Sequence, residues 1–368
     1  MFRGDAHGGR PEGGGIPPCV VAFLHHPEGF SEHSGMLPLV RDLRALQVRY
    51  QAAWWTVQQR SFTAGRLLRL LGNRYFGSEW NAILPVVDEL RLAGHLPRRG
   101  RFVAHFVWAE FARPRMGSLF RARGRGRIVG TFHAGVSRLP ELVRRASDLE
   151  VFDAITLMGS CQLPFFLQKG VPRDRLHVIL HGVDSRYFTP GPRPVPDSAV
   201  LQGLMIGVTQ RDHAFLARVV QRLPADVLRL RVATSQVQWR HYEGIAGVER
   251  LPALRPEELR AEYRRADLLL MPVSDTVANN AVLEAMACGT PVMINRVGAV
   301  DEYVPEDCGI VLPDRDEERW VEELLRWSRE REELARLGGR ARQRAEELDW
   351  TRVAGRYVEL FSGLFGSD

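Results

Sequence analysis

The stretch from Ala266 to Glu302, ADLLLMPVSDTVANNAVLEAMACGTPVMINRVGAVDE, constrains this chain more than any other. Leu268 to Val273 is an apolar run broken by one proline, short enough to be a buried strand. A polar turn, Ser274-Asp275-Thr276, follows, and Asn279 and Asn280 stand where a helix N-cap is wanted. Ala281 to Cys288 is a strong helix-forming run. Gly289 supplies its C-cap and Pro291 prevents its continuation. Val292-Met293-Ile294 then starts another strand. Such a strand–turn–helix–strand unit is the repeating piece of a parallel α/β sheet.

The turn is where chemistry is expected. A helix beginning near Asn280 presents unpaired backbone N–H groups, and its macrodipole adds roughly half a positive charge. That is a ready seat for a phosphate. Glu284 is expected in the first turn beside this seat, where its carboxylate could accept hydrogen bonds from a ribose diol. Compensation of the helix dipole is the competing reading of the same residue.

Leu283 to Val292 reads LEAMACGTPV. The segment resembles the donor-binding core of the GT-B glycosyltransferases of family 4 (the group 1 glycosyltransferases), which carry two glutamates with seven residues between them before an EAMA-x-G-x-P-V run. The resemblance makes Glu284 the second glutamate, which implies contact with the nucleotide ribose. The first, which contacts donor-sugar hydroxyls, falls on Thr276, with Asp275 one residue out of register. This departure puts the sugar contact in doubt. Val297-Gly298-Ala299-Val300-Asp301-Glu302 resembles the family's G-G-x-x-E, with alanine for the second glycine.

The remainder of the chain is read against that centre. Its 368 residues suffice for two domains. The 45% hydrophobic and 26% charged fractions are those of a soluble globular protein, and no apolar run approaches a membrane span. Residues 1–18, rich in Gly and Pro, read as a disordered leader. Cys19, Cys161, Cys288 and Cys308 are widely spaced and read as reduced core residues of a cytosolic protein. Lys169 is the sole lysine, so the net charge of +6 comes from arginine.

Cys19 to Leu24 reads as the first strand, and a loop with Ser34 and Gly35 leads to a helix from about Met36. The resemblance places this loop at the interdomain cleft, where Ser34 and Gly35 would offer backbone N–H groups to the donor phosphates. A plain strand–helix turn is the alternative. Trp54-Trp55 and Ala82 to Val87 suggest further core elements. Arg101 to Trp108 and Ile128 to Phe132 read as strands, the second ending in His133-Ala134-Gly135. A histidine at the carboxyl end of a parallel strand points into the ligand crevice. The family has one there that reaches the donor sugar, and His133 fits the position; a histidine that merely caps the strand is the other reading. Between Arg98 and Arg127 nine arginines face one acidic residue, Glu110, which suggests contact with an anionic membrane surface at about 1 kcal/mol per residue. A solvated face is the alternative, and no nucleic-acid module accompanies the patch.

Ser160 follows a strand over Phe152 to Met158. His181-Gly182-Val183-Asp184, with Phe188 and Pro190, resembles the family's N-G-V-D signature, with histidine for asparagine. Gly182 is expected to supply a tight turn and Asp184 to fix it. The proline-rich run at 190–196 reads as the interdomain linker. After a strand over Val200 to Val208 the family has an arginine and a lysine that grip the diphosphate. Here Arg211 alone remains, and Asp212 could instead neutralise it. Val227 to Thr234 reads as a half-buried strand. One helix carries Trp320, Leu324, Trp327, Leu334 and Leu337, and a terminal helix over Leu348 to Leu364 would cross back to the first domain.

The expected architecture is α/β, GT-B: two doubly wound Rossmann-like domains facing across a cleft. Residues 19–190 form the acceptor side, 197–347 the donor domain, and 348–368 the returning helix. The expected activity is retaining transfer from a nucleotide-diphosphate sugar to a hydroxyl acceptor. His133, Arg211 and Glu284 carry the chemistry, and Asn279, Asn280, Thr276, Glu302, Ser34 and Gly35 contact the donor. No metal or other cofactor is expected, there being no His/Cys cluster. The expected location is the cytoplasm, with peripheral contact to the inner membrane face. The alternatives are a non-catalytic GT-B subunit, a GT-B nucleotide-sugar epimerase or hydrolase, and, more distantly, a dinucleotide oxidoreductase, which would want a G-x-G-x-x-G after the first strand.

Overall fold

The computed structural model describes residues 19–25, 32–50, 93–110, 117–121, 125–192 and 200–366. The leader, Trp54-Trp55, the Ala82 to Val87 run, residues 193–196 of the expected linker and residues 197–199 lie outside them. Two six-stranded sheets, all parallel, organise the chain. The first comprises β1 (Cys19–His25), β2 (Leu46–Tyr50), β3 (Phe102–Phe106), β4 (Gly126–Phe132), β5 (Ala154–Leu157) and β6 (Leu176–Val178), in the order β2-β1-β3-β4-β5-β6. The second comprises β7 (Leu201–Ile206), β8 (Leu228–Ala233), β9 (Val248–Arg250), β10 (Leu268–Met271), β11 (Val292–Asn295) and β12 (Ile310–Leu312), in the order β12-β11-β10-β7-β8-β9. Strands buried on both faces have continuous apolar sequences, as LLLM at the centre of the second sheet does. Each order reverses once, between β1 and β3 and between β7 and β10. Ligands of open α/β sheets bind beyond the carboxyl ends of the strands at such points.

Several local expectations are corrected. Val227 to Thr234 is not half-buried by simple alternation: Arg231 lies inside, with its Nε donating to Glu262 Oε2 at 2.6 Å. The expected single helix after β12 is two, Glu317–Arg329 and Arg331–Glu347, parted at Glu330. Cys19 is exposed and Cys161 half-buried, so only Cys288 and Cys308 are core cysteines; all four are free thiols. Gly182 answers to packing and not to a turn, because a Cβ there would stand 2.6 Å from the Trp350 ring.

The Trp350–Gly363 helix packs against the short helix Leu37–Asp42 of the first sheet's layer. Asp349 caps it, accepting from Thr351 N at 2.9 Å, and also accepts from Ser185 Oγ at 2.6 Å. Val183 N donates to Leu348 O at 2.9 Å, and Trp350 N donates to Val183 O at 3.1 Å. These bonds stitch the returning chain to the HGVD segment and so fix one side of the seam between the sheets.

Candidate functional site

The loops after β7 and β10 meet at the reversal of the second sheet. Asp212 N donates to Pro272 O at 2.9 Å, Ser274 N donates to Gln210 O at 3.0 Å, and Arg211 bridges antiparallel to Val273. Gln210 takes the left-handed φ of 62° that turns Arg211 back over the end of β7. There Nη1 donates to Thr209 O at 2.6 Å and Nη2 to Asn279 Oδ1 at 2.8 Å. Gly207 makes room, since a Cβ on it would stand 2.9 Å from Arg211 Nε. Asp212 does not neutralise Arg211. It caps the His213–Gln221 helix by accepting from Phe215 N at 3.0 Å, and it pairs with Arg315.

The helix of the motif runs Asn280–Ala287 with Asn279 as its N-cap residue. Asn279 makes no side-chain cap, because its oxygen is taken by Arg211; its Nδ2 is buried with no hydrogen-bond partner among the described residues. Glu284 lies in the second turn, not the first, so dipole compensation does not account for it. Its carboxyl group is buried, with Oε1 accepting from Ser34 Oγ at 2.6 Å and Oε2 from Tyr263 OH at 2.9 Å. Burial pushes its pKa up to about 7, against the opposing pull of those two bonds and of Arg211. The same desolvation lowers Arg211, while the charges of Tyr263 and Glu284 oppose it. Tyr263 is a site residue with no signal in the sequence: nothing in its spacing marks its hydroxyl.

Opposite lie the loops of the first sheet. His133 follows β4, mostly buried, with its backbone N–H donating to Glu110 Oε1 at 2.9 Å. Its ring lies against Trp108, with centroids 5.6 Å apart. Gln162 holds this loop from inside, its Nε2 donating to Phe132 O at 3.2 Å and Ala134 O at 2.9 Å. From across the seam Asp275 Oδ2 accepts from both Ser137 N and Ser137 Oγ, so close to Gly135 that a Cβ there would meet the carboxylate. Glu302 Oε1 likewise accepts from Ser160 N at 2.8 Å and Ser160 Oγ at 3.0 Å. Three acidic residues of the motif stretch thus each meet one serine of the first domain: Asp275 with Ser137, Glu284 with Ser34, Glu302 with Ser160. Thr276 is buried and supplies its carbonyl, which accepts from Ala299 N at 3.2 Å. Gly298, at φ 61°, is forced by this approach, because a Cβ would fall 1.8 Å from that carbonyl.

The loop carrying Ser34 and Gly35 is anchored by its neighbour. His33 stacks on Tyr187 at 3.6 Å between centroids, and its Nδ1 lies 3.0 Å from Asp184 Oδ2. Asp184 also fixes its own turn, accepting from Tyr187 N at 3.1 Å. Ser34 therefore reaches the site through its hydroxyl. Beside Arg211, Gly207 opens onto a groove of about 650 Å³ walled by Thr234, Arg250, Leu251, Pro252 and Leu254.

The basic stretch divides. Arg98, Arg99 and Arg101 are exposed, whereas Arg121 Nη2 donates to Val151 O at 2.7 Å and Arg127 Nε to Leu364 O at 2.9 Å. Arg113, Arg115 and Arg123 lie outside the described residues. Asp314-Arg315-Asp316 has the D-x-D form of some metal sites, but Asp316 is a helix cap that accepts from Arg319 N at 2.8 Å. No helix among the described residues is long and apolar enough to cross a membrane.

Residues 202–330 match the family model of glycosyl transferases group 1. The D-inositol 3-phosphate glycosyltransferase of Saccharomonospora viridis is 33% identical over 120 residues, 32% of this chain and 28% of that protein. The enzyme of the same name from Corynebacterium urealyticum is 26% identical over 222 residues, 52% of this chain and 51% of its own length. The chain thus spans about half the length, or less, of the curated relatives it matches. Among solved structures, Anabaena HepE in complex with UDP and glucose superposes with a TM-score of 0.66 at 13% identity, over 94% of this chain and 99% of that one. The α,α-trehalose 6-phosphate synthase of Burkholderia multivorans gives 0.68 at 11% identity, over 95% and 99%. The two facing sheets are those of the GT-B fold, and residues 202–330 resemble the group 1 glycosyltransferases.

Proposed function

We propose that this protein transfers a sugar from a nucleotide-diphosphate donor to a hydroxyl acceptor. One observation carries the reading: a guanidinium, a helix N-terminus and a buried carboxyl group converge at the reversal of the second sheet, beside an open groove. Arg211 and the N–H groups at Asn279 and Asn280 take the diphosphate, and Asn279 Nδ2, without a partner among the described residues, adds a donor. Glu284 takes the ribose, for which Ser34 must release Oε1. The groove by Leu251 and Pro252 takes the base, and His133 orients the sugar. Asp275, next in sequence to the replaced glutamate, is the acidic residue beside that place. As the diphosphate leaves, Arg211 and the helix end stabilise its charge in a desolvated site without a metal. The acceptor hydroxyl attacks the face the diphosphate vacates and gives its proton to the departing diphosphate oxygen, and the configuration is retained.

A second reading, a non-catalytic GT-B subunit, is favoured by Thr276 and by the missing lysine after β7. An epimerase or hydrolase would use the same donor site without a sugar acceptor. Calorimetry with UDP, GDP, ADP and dTDP, with and without magnesium, separates the readings. Micromolar, metal-independent binding of one nucleotide supports the donor site and identifies the sugars to test for transfer. Absence of binding by all four leaves the non-catalytic reading in front. Turnover of the chosen nucleotide sugar only when a hydroxyl acceptor is added distinguishes transfer from epimerisation or hydrolysis. Anomeric analysis of the product tests retention. The exposed Arg98, Arg99 and Arg101 supply the contact to an anionic membrane surface, and sedimentation with phosphatidylserine vesicles tests it.

A further inference from the structure

After β3 the chain runs Val107-Trp108-Ala109-Glu110, which brings Glu110 to the reversal of the first sheet, between β1 and β3. Its side chain is 1% exposed. Oε1 accepts from His133 N at 2.9 Å and lies 3.8 Å from His133 Nδ1. Oε2 has no hydrogen-bond partner among the described residues, and neither ring nitrogen of His133 has one. Leaving such groups buried and unpaired is costly, so packing alone does not account for them. Trp108 covers one face of the imidazole and His181 meets it edge-on, with centroids 6.2 Å away, which limits the ring's freedom. Burial pushes His105 and His181 down to about 3, so both are neutral near pH 7.

We propose that Glu110 is a positioning residue for His133: it holds the imidazole in the Nδ1–H form and leaves the Nε2 lone pair to accept a hydrogen bond from a donor-sugar hydroxyl. The present 3.8 Å is too long for a hydrogen bond, and a small turn of the ring closes it. Catalytic contacts tighten in this way when substrate is bound. The neutral alternative, Nε2–H, would leave Nδ1 facing a carboxylate with two acceptors and no proton between them. The identity of the hydroxyl rests on the donor-site reading; the form of the ring does not.

The test is therefore made first on the ring. Nitrogen-15 spectra of histidine-labelled full-length protein at pH 8, with His133→Gln for assignment, are expected to show a protonated Nδ1 and a bare Nε2. Glu110→Ala removes both oxygens that could face Nδ1, so the hold on the Nδ1–H form is lost and Nε2–H should appear. A wild-type ring with Nε2–H, or a pattern unchanged in Glu110→Ala, overturns the proposal. Should that variant fail to fold, the wild-type spectrum decides alone. With a donor in hand, Glu110→Ala is expected to lower kcat by about 100-fold while KM for the donor stays within about threefold. An unchanged kcat in the folded variant also overturns the proposal. A wild-type protein that transfers no sugar counts against the proposed function, and the ring spectra still decide Glu110.

Discussion

The carboxyl ends of the two sheets are built alike and finished differently. Around β7 and β10 the polar groups are largely satisfied: Arg211 is held by Asn279, and Glu284 by Ser34 and Tyr263. Around β3 and β4, Glu110 keeps one bare oxygen and His133 two bare ring nitrogens among the described residues. Fixed charge on one side and unmet hydrogen bonding on the other suit different tasks. The first arrangement stabilises an anion without reorganising. The second acquires its partners only when a ligand supplies them. The serines of the first domain join the two by occupying the second domain's carboxyl groups.

The largest effect expected is at the satisfied end. Arg211→Ala should weaken nucleoside-diphosphate binding about 10- to 100-fold, the equivalent of about 1.5–3 kcal/mol for hydrogen bonds to a charged group. Arg211→Lys should fall between, because it keeps the charge and loses the planar fork. Calorimetry against the nucleotide bound by the wild type measures both. Wild-type affinity in Arg211→Ala would remove the anion seat from the second sheet, and the contrast with it.

A comparable effect is expected from Glu284, read through pH. Its pKa is about 7 in the fold against an ordinary 4.5, and burial is the main cause. The folded state therefore binds more protons than the unfolded chain between these values, and the stabilising contribution is full below about 4.5 and lost as pH rises through 7. Urea unfolding of wild type and Glu284→Gln at pH 5 and pH 8 should show the wild type losing up to about 3 kcal/mol relative to the variant at the higher pH. A difference that does not change with pH would mean that this carboxyl group is as well solvated as any surface glutamate.

The two ends also differ in how far the sequence discloses them. The Ala266 to Glu302 stretch announces its strand, helix and glycine stop because each is set by neighbours in the chain: Gly289 takes φ 75° as a C-cap, and the apolar runs are the buried strands. Ser34, Arg211 and Glu284 could be nominated from motif and position, and they are brought together. Their partners could not. Tyr263 reaches Glu284 from another helix, and Asp275 reaches Ser137 across 138 residues of sequence. Glu110 was visible only as the acidic exception in an arginine run, since its partner His133 follows a different strand, β4. Local signals encode elements, whereas a carboxylate's partner is fixed by sheet order.

Between these effects in size lies the seam itself. Gly182→Ala would place a Cβ 2.6 Å from the Trp350 ring and 3.0 Å from Leu348 O. Overpacking of this kind costs about 1–3 kcal/mol. The loss should appear in thermal or urea unfolding, with nucleotide affinity at the second sheet kept. An equal loss of affinity would show that the two ends are not separable, and that the terminal helix supports the donor seat directly.

The smallest effect is the most discriminating. Ser34→Ala removes the hydroxyl that donates to Glu284 Oε1 at 2.6 Å and leaves Tyr263 on Oε2. If Ser34 only braces the fold, losing one net hydrogen bond of about 1 kcal/mol lowers stability and leaves nucleotide affinity alone. If it occupies an oxygen that the ribose must take, the same change frees that oxygen, and affinity should rise by up to about fivefold for the same energy. A 2′-deoxyribose nucleotide is the control: with one hydroxyl fewer to offer Glu284, it should gain less from Ser34→Ala than the ribose form. Equal gains for both would place Ser34 in competition with the phosphates. A drop in affinity would make Ser34 part of the donor seat, so that the satisfied end of the molecule would extend into the first domain.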